Sequence, residues 1–140
     1  TAPMTETDPA PNTVQELRLV ITARDYERSR AFYEALLGVR AVNAWASPEG
    51  RVTILEAGRA TLEIVDEAHA GRIDAVEVGR RVSGEVRLAL RVPDSGAAAS
   101  RARQAGGVLT HPPVPTPWNS RNARVVSPDG LQITLFTGGA

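Results

Sequence analysis

The sequence predicts an α+β fold of two tandem βαβββ modules, and three observations predict it. A stretch is repeated: Leu17 to Asp25 reads LRLVITARD and Val86 to Asp94 reads VRLALRVPD, a spacing of 94 − 25 = 69 residues. The same offset carries Gly38, after the first predicted helix, onto Gly107, after the second. Each copy also runs in the same order: strand, Asp, helix, glycine, strand. One helix covers only one face of a small sheet, so a unit of this size needs its twin to bury the rest. The space between the two sheets is then the expected place for a ligand.

Leu17 to Thr22 sorts into Leu17/Leu19/Ile21 and Arg18/Val20/Thr22, the period of a strand with two unlike faces. The purely apolar set is predicted to face the helix. Asp25 offers an N-cap acceptor, Glu27 suits the positive end of the helix, and Phe32 and Leu36 lie four apart on one face. Gly38 ends that helix. Strands are predicted at 39–45, 51–56 and 60–65, separated by turns at Ser47-Pro48-Glu49-Gly50 and Ala57-Gly58. Residues 66–84 are charged and without period, and read as a linker with at most a short helical turn.

The second module opens with Val86/Leu88/Leu90/Val92 alternating against Arg87/Ala89/Arg91. Asp94 caps a helix whose packing face is nearly all alanine, which implies close approach to the sheet. Strands are predicted at 108–110, 121–126 and 131–136, with Pro128-Asp129-Gly130 as the last turn. Pro112, Pro113, Pro115 and Pro117 stiffen a long loop that delivers Trp118. The expected organisation is a mobile tail over 1–13 and one domain over 14–137. Module one takes 14–66, the linker 67–84 and module two 85–137.

The 140 residues are 42% apolar, ordinary for a globular protein, and no run reaches the roughly 18 apolar residues of a membrane span. The segment TAPMTETDPAPNT lacks the basic and apolar parts of a secretory signal. Sixteen basic residues balance sixteen acidic ones and aromatics are few, which argues against nucleic acid or an anionic membrane as partner. With no cysteine there are no disulfides, thiolate nucleophiles or sulfur-ligated metals, consistent with a cytoplasmic location. His69 and His111 are the only imidazoles. His111 reads as a strand-end residue, and His69, in the linker, is assigned no role.

The run from Arg24 to Tyr33, RDYERSRAFY, followed by Leu37-Gly38, and the closing Ser127-Pro128-Asp129-Gly130-Leu131-Gln132-Ile133 resemble the vicinal oxygen chelate superfamily of glyoxalase I, bleomycin-resistance proteins and extradiol dioxygenases. The resemblance covers about 15–137. It implies the glyoxalase/bleomycin-resistance/dihydroxybiphenyl dioxygenase-like fold, with the two modules curling into a cleft, and commonly a homodimer. It also implies four cleft positions that hold a divalent metal in the metalloenzymes. On this chain those positions are Arg18, Glu63, Arg87 and Thr134, of which only Glu63 is a plausible ligand. A guanidinium keeps its charge and has no acceptor, so two of them repel a cation, and no metal or other cofactor is expected. The exception to weigh is an unorthodox metal site recruiting His111 with Glu63.

The arginines admit two readings. In one, Glu63 accepts from one or both of Arg18 and Arg87, and the cluster is structural. In the other, two cations facing one carboxylate leave about one positive charge for an incoming carboxylate, phenolate or phosphate. Trp45 and Trp118 are candidates for stacking on a planar ligand. The alternative for each is a core or dimer-interface role. No serine elbow or phosphate loop is present, and Tyr26 and Tyr33 lie on a packed helix. The expected function is metal-independent binding of an anionic or aromatic metabolite or drug in the cleft, at Arg18, Glu63, Arg87, Thr134, Trp45 and Trp118. The alternative is an enzyme (a lyase, isomerase or dioxygenase), either with an unorthodox metal or metal-free with Glu63 as catalytic base.

Overall fold

The computed structural model describes residues 13–37, 39–128 and 130–139. In chain order the elements are β1 (Glu16–Thr22), α1 (Tyr26–Leu37), β2 (Ala41–Ser47), β3 (Gly50–Ala57), β4 (Ala60–Val65), α2 (Glu67–Val78), β5 (Val86–Arg91), α3 (Ser95–Gln104), β6 (Val108–Pro115), β7 (Ser120–Val126) and β8 (Gln132–Gly138). The strands form one sheet in the order β2-β3-β4-β1-β5-β8-β7-β6. Each module pairs its first strand in parallel with its last, β1 with β4 and β5 with β8. The modules join where β1 runs antiparallel to β5. The duplicated units thus share one continuous sheet related by a pseudo-twofold axis between β1 and β5. That sheet is not strongly curled, so the cleft is closed by a helix rather than enclosed between two curling sheets.

Side-chain alternation sorts the two faces. Leu19 and Ile21 pack with Tyr26, Leu55, Leu62 and Ile64 beneath α1, while Leu90 and Val92 pack with Ala98, Ala99 and Ala102 of α3. Both predicted caps form: Asp25 Oδ1 accepts from the Arg28 amide at 3.2 Å, and Asp94 Oδ1 accepts from the Gly96 and Ala97 amides at 2.9 and 3.2 Å. The inward face of α1 differs from the prediction. Phe32 is 57% exposed, and Tyr26 and Tyr33 are the residues turned onto the sheet. Gly38, Asp129 and residues 1–12 of the expected tail lie outside the described residues, as does the side chain of Leu36.

The expected linker is a three-turn helix. Asp66 caps it by accepting from the His69 amide at 2.9 Å, and Gly79 closes it at φ 81°. The helix spans the face opposite α1 and α3, touching β3 and β4 on one side and β6 and β7 on the other. Gly50 permits this seat: at φ 128°, an added Cβ there would fall 2.5 Å from the His69 amide nitrogen. The proline-rich loop is also shorter than predicted. β6 continues through Pro112, Pro113 and Pro115 as an edge strand, its register against β7 shifting between Leu109 and His111 and again between His111 and Val114. Residues 116–119 form a turn, so this segment is the end of a hairpin.

Candidate functional site

The register of the central strands places the arginines. Val20 on β1 faces Glu63 on β4 and Arg87 on β5, while Ala89 on β5 faces Arg18 on β1 and Thr134 on β8. The pseudo-twofold axis exchanges these rows: Val20 maps to Ala89, Arg18 to Arg87 and Glu63 to Thr134. Glu63 and Thr134 continue outward to Ile54 on β3 and Arg124 on β7. One module therefore carries an apolar residue where the other buries a guanidinium, and that asymmetry organises the site.

The helix α2 supplies its counter-charge. Ala70, Ile73, Asp74 and Glu77 form the buried stripe, and its two acids meet Arg124. Arg124 Nε donates to Glu77 Oε1 at 3.0 Å and Nη1 to Ser83 Oγ at 2.9 Å. Arg124 Nη2 lies 3.0 Å from Asp74 Oδ1 and 2.9 Å from Glu77 Oε1, an ion-pair approach without hydrogen-bond geometry. Glu77 also accepts from Asn122 Nδ2 at 2.9 Å and Thr134 Oγ1 at 2.7 Å. Burial works to raise the Asp74 carboxyl, but the Ser83 hydroxyl and amide, the Val82 amide and the Arg124 charge overcome it and hold it at about 2.

Between α2 and the central strands lies a cavity of about 340 Å³, and all six predicted site residues line it. Arg18, Glu63, Arg87 and Thr134 are each buried. Trp118 is half-buried, packs on the cluster containing Val20 and Phe136, and sits beside His69 at 6.3 Å between ring centres. Its turn is fixed by the Thr116 amide donating to Ser120 O at 2.8 Å and by Asn119 at φ 66°, a conformation asparagine tolerates. Trp45 is 48% exposed on the edge strand β2, at the rim. His111 Nδ1 lies 2.7 Å from Pro112 O, and His111 is not among the lining residues, so it is not brought to Glu63.

The charge count differs from the sequence expectation. Among the described residues Glu63 Oε1 accepts from Arg18 Nη1 alone, at 3.3 Å, and Arg18 Nε also donates to Glu16 Oε2 at 2.6 Å. Asp74 and Glu77 face Arg124, and Arg81 Nη1 also lies 3.0 Å from Asp74 Oδ2, so the charges at the site extend beyond the three groups that the sequence brought together. The available positive charge is local and belongs to Arg87. Arg87 is 6% exposed, its Nη1 donates to Thr134 Oγ1 at 2.7 Å, and it has no ion-pair partner among the described residues. Its Nε and Nη2 have no hydrogen-bond acceptor among the described residues, and Arg87 lines the cavity. Burial lowers its pKa, with Glu77 and Glu63 opposing.

Sequence reasoning missed His69, Asp74, Glu77, Asn122 and Arg124. The α2 residues were detectable as a stripe at 70, 73, 74 and 77 once acids are allowed on a buried face. Among the described residues no group of three or more His, Asp or Glu is placed to hold a metal ion. The donor set at the four cleft positions, two guanidinium groups, one carboxylate and one hydroxyl, does not fit a divalent cation.

A duplicated βαβββ sheet with a helix-covered cleft is the architecture of this chain. The family model for the Glyoxalase/Bleomycin resistance protein/Dioxygenase superfamily matches residues 17–135, and the chain belongs to that superfamily. No curated protein matches it in sequence. Among solved structures it resembles a hypothetical protein of Bacillus halodurans, with TM-score 0.66, 14% identity and coverage of 94% of this chain and 97% of that one. It also resembles a variant of Streptomyces coelicolor methylmalonyl-CoA epimerase in complex with 2-nitronate-propionyl-CoA, with TM-score 0.62, 19% identity and 91% and 100% coverage. A superfamily member from Vibrio splendidus gives TM-score 0.60, 13% identity and 90% and 100% coverage. At these identities the likeness is one of fold.

Proposed function

We propose that the protein binds a small anion with a planar apolar body in the α2-covered cavity, without a metal ion. The observation that carries this reading is Arg87, a buried guanidinium that lines the cavity, with two nitrogens lacking an acceptor and no carboxylate within ion-pair distance among the described residues. Such a charge is costly out of water unless a partner arrives, and a carboxylate fits its planar fork. Val52, Ile54, Ile73, Ala89 and Phe136 give the body an apolar bed, and Trp118 a ring to stack on.

Titration with benzoate, followed by tryptophan fluorescence and calorimetry, tests the proposal. Arg87→Met should weaken binding tenfold or more while the fold persists. Unchanged affinity removes Arg87 from the site. A second reading, proton transfer by Glu63 in a metal-free isomerase or lyase, is favoured by Glu63 Oε2, which has no donor among the described residues and opens onto the same cavity. Turnover abolished by Glu63→Gln with folding intact supports it.

A further inference from the structure

Resting on the anion reading above, we propose that the ligand is a monoanionic aromatic carboxylate that also carries a hydrogen-bond donor such as a phenolic hydroxyl, with its anion on Arg87 and its donor on Glu63 Oε2. Glu63 and Arg87 occupy one transverse row, on either side of Val20, and all three point to the α2 face. Two strand spacings separate their Cα atoms by roughly 10 Å, and the short Val20 side chain leaves the space above it open. Both residues are buried, at 6% and 8% exposure. Each has polar atoms that the protein leaves unmet: donors only on Arg87, an acceptor only on Glu63.

A ligand offering only an anion satisfies one end of that row. Its apolar edge would then displace water from an ionised carboxylate and give nothing back, the situation in which a binding site discriminates most sharply against an analogue lacking a donor. Arg18 does not relieve this, because it engages Oε1 and is held from the other side by Glu16. The same carboxylate disfavours a second negative charge on the ligand, so a dicarboxylate of similar shape is rejected by repulsion.

Calorimetry with benzoate, the ortho-, meta- and para-hydroxybenzoates and terephthalate tests this on the parent, Glu63→Leu and Glu63→Gln proteins. In the parent, at least one hydroxybenzoate should bind roughly tenfold or more tightly than benzoate, and terephthalate more weakly than benzoate. Glu63→Leu should abolish the hydroxyl preference, so that no hydroxybenzoate binds more tightly than benzoate does. Glu63→Gln should bind terephthalate more tightly than the parent does, a gain that misfolding cannot produce. Benzoate binding that depends on Arg87 but shows no hydroxyl preference overturns this proposal and leaves the anion reading standing. A hydroxyl preference that survives in Glu63→Leu also overturns it, and no binding of any of these carboxylates overturns both.

Discussion

Arg87 Nη1 donates to Thr134 Oγ1 at 2.7 Å, and the same hydroxyl donates to Glu77 Oε1 at 2.7 Å. With its one proton committed to Glu77, Thr134 can only accept from Arg87, which aims the remaining guanidinium donors into the cavity. Thr134→Val keeps the shape and removes both bonds. It should cost about 1–3 kcal/mol in urea unfolding and weaken benzoate binding, whereas Thr134→Ser should retain most of both.

Arg124 joins α2 to β7 inside the protein, facing two carboxylates that are 0–1% exposed. Removing one side of such a cluster strands the other, so Arg124→Met should destabilise the fold by about 3–5 kcal/mol. Adding Glu77→Gln removes one of the two stranded charges and should recover part of the loss. Hydrogen exchange should show the α2 amides opening first in Arg124→Met. Uniform loss of protection would mean that the helix is held chiefly by Ala70 and Ile73.

The repeat, the strand alternation and the two aspartate caps were legible because each is written in residue identity alone: the same run 69 residues on, a period of two, a side-chain oxygen before a helix. The helix α2 was not. Its inward stripe runs Ala70, Ile73, Asp74, Glu77, two apolar residues followed by two acids, so polarity carries no helical period although burial does. Those acids are tolerated inside because Arg124, Asn122 and Thr134 meet them from β7 and β8 while Arg81, Val82 and Ser83 close on Asp74, and the pairings to β7 and β8 are long-range ones that no window of local sequence contains. The same omission distorted the charge count at the site. Phe32 misled for the opposite reason, as an apolar residue left on the outer face of α1.

Asp74 gives the fold an acid limit. Its carboxyl titrates at about 2 in the folded protein against 3.8 ordinarily, so its stabilising contribution is complete above that ordinary value and is lost as pH falls toward 2. The linked contribution is on the order of 2 kcal/mol. Unfolding measured in this acid window should show a steeper loss of stability for the parent than for Asp74→Asn, which lacks the titration. Parallel curves would place the acid sensitivity elsewhere.

His69 should make ligand binding respond to pH, because it lines the cavity on the first turn of α2. Burial lowers its pKa from 6.5; Glu63 and Asp66 favour its proton, and Arg72 and Arg87 oppose it. In the free protein this costs stability as pH falls from 6.5 toward the lowered value, since the unfolded chain takes the proton first. A carboxylate bound to Arg87 reverses the balance by adding a negative charge near the ring, so binding is coupled to proton uptake. Benzoate affinity should therefore rise severalfold between about pH 7.5 and about pH 5.5, where the ligand itself stays ionised. Calorimetry in buffers of different ionisation enthalpy measures the proton directly. His69→Gln should flatten the profile, and a slope that persists in that variant assigns the proton to another group.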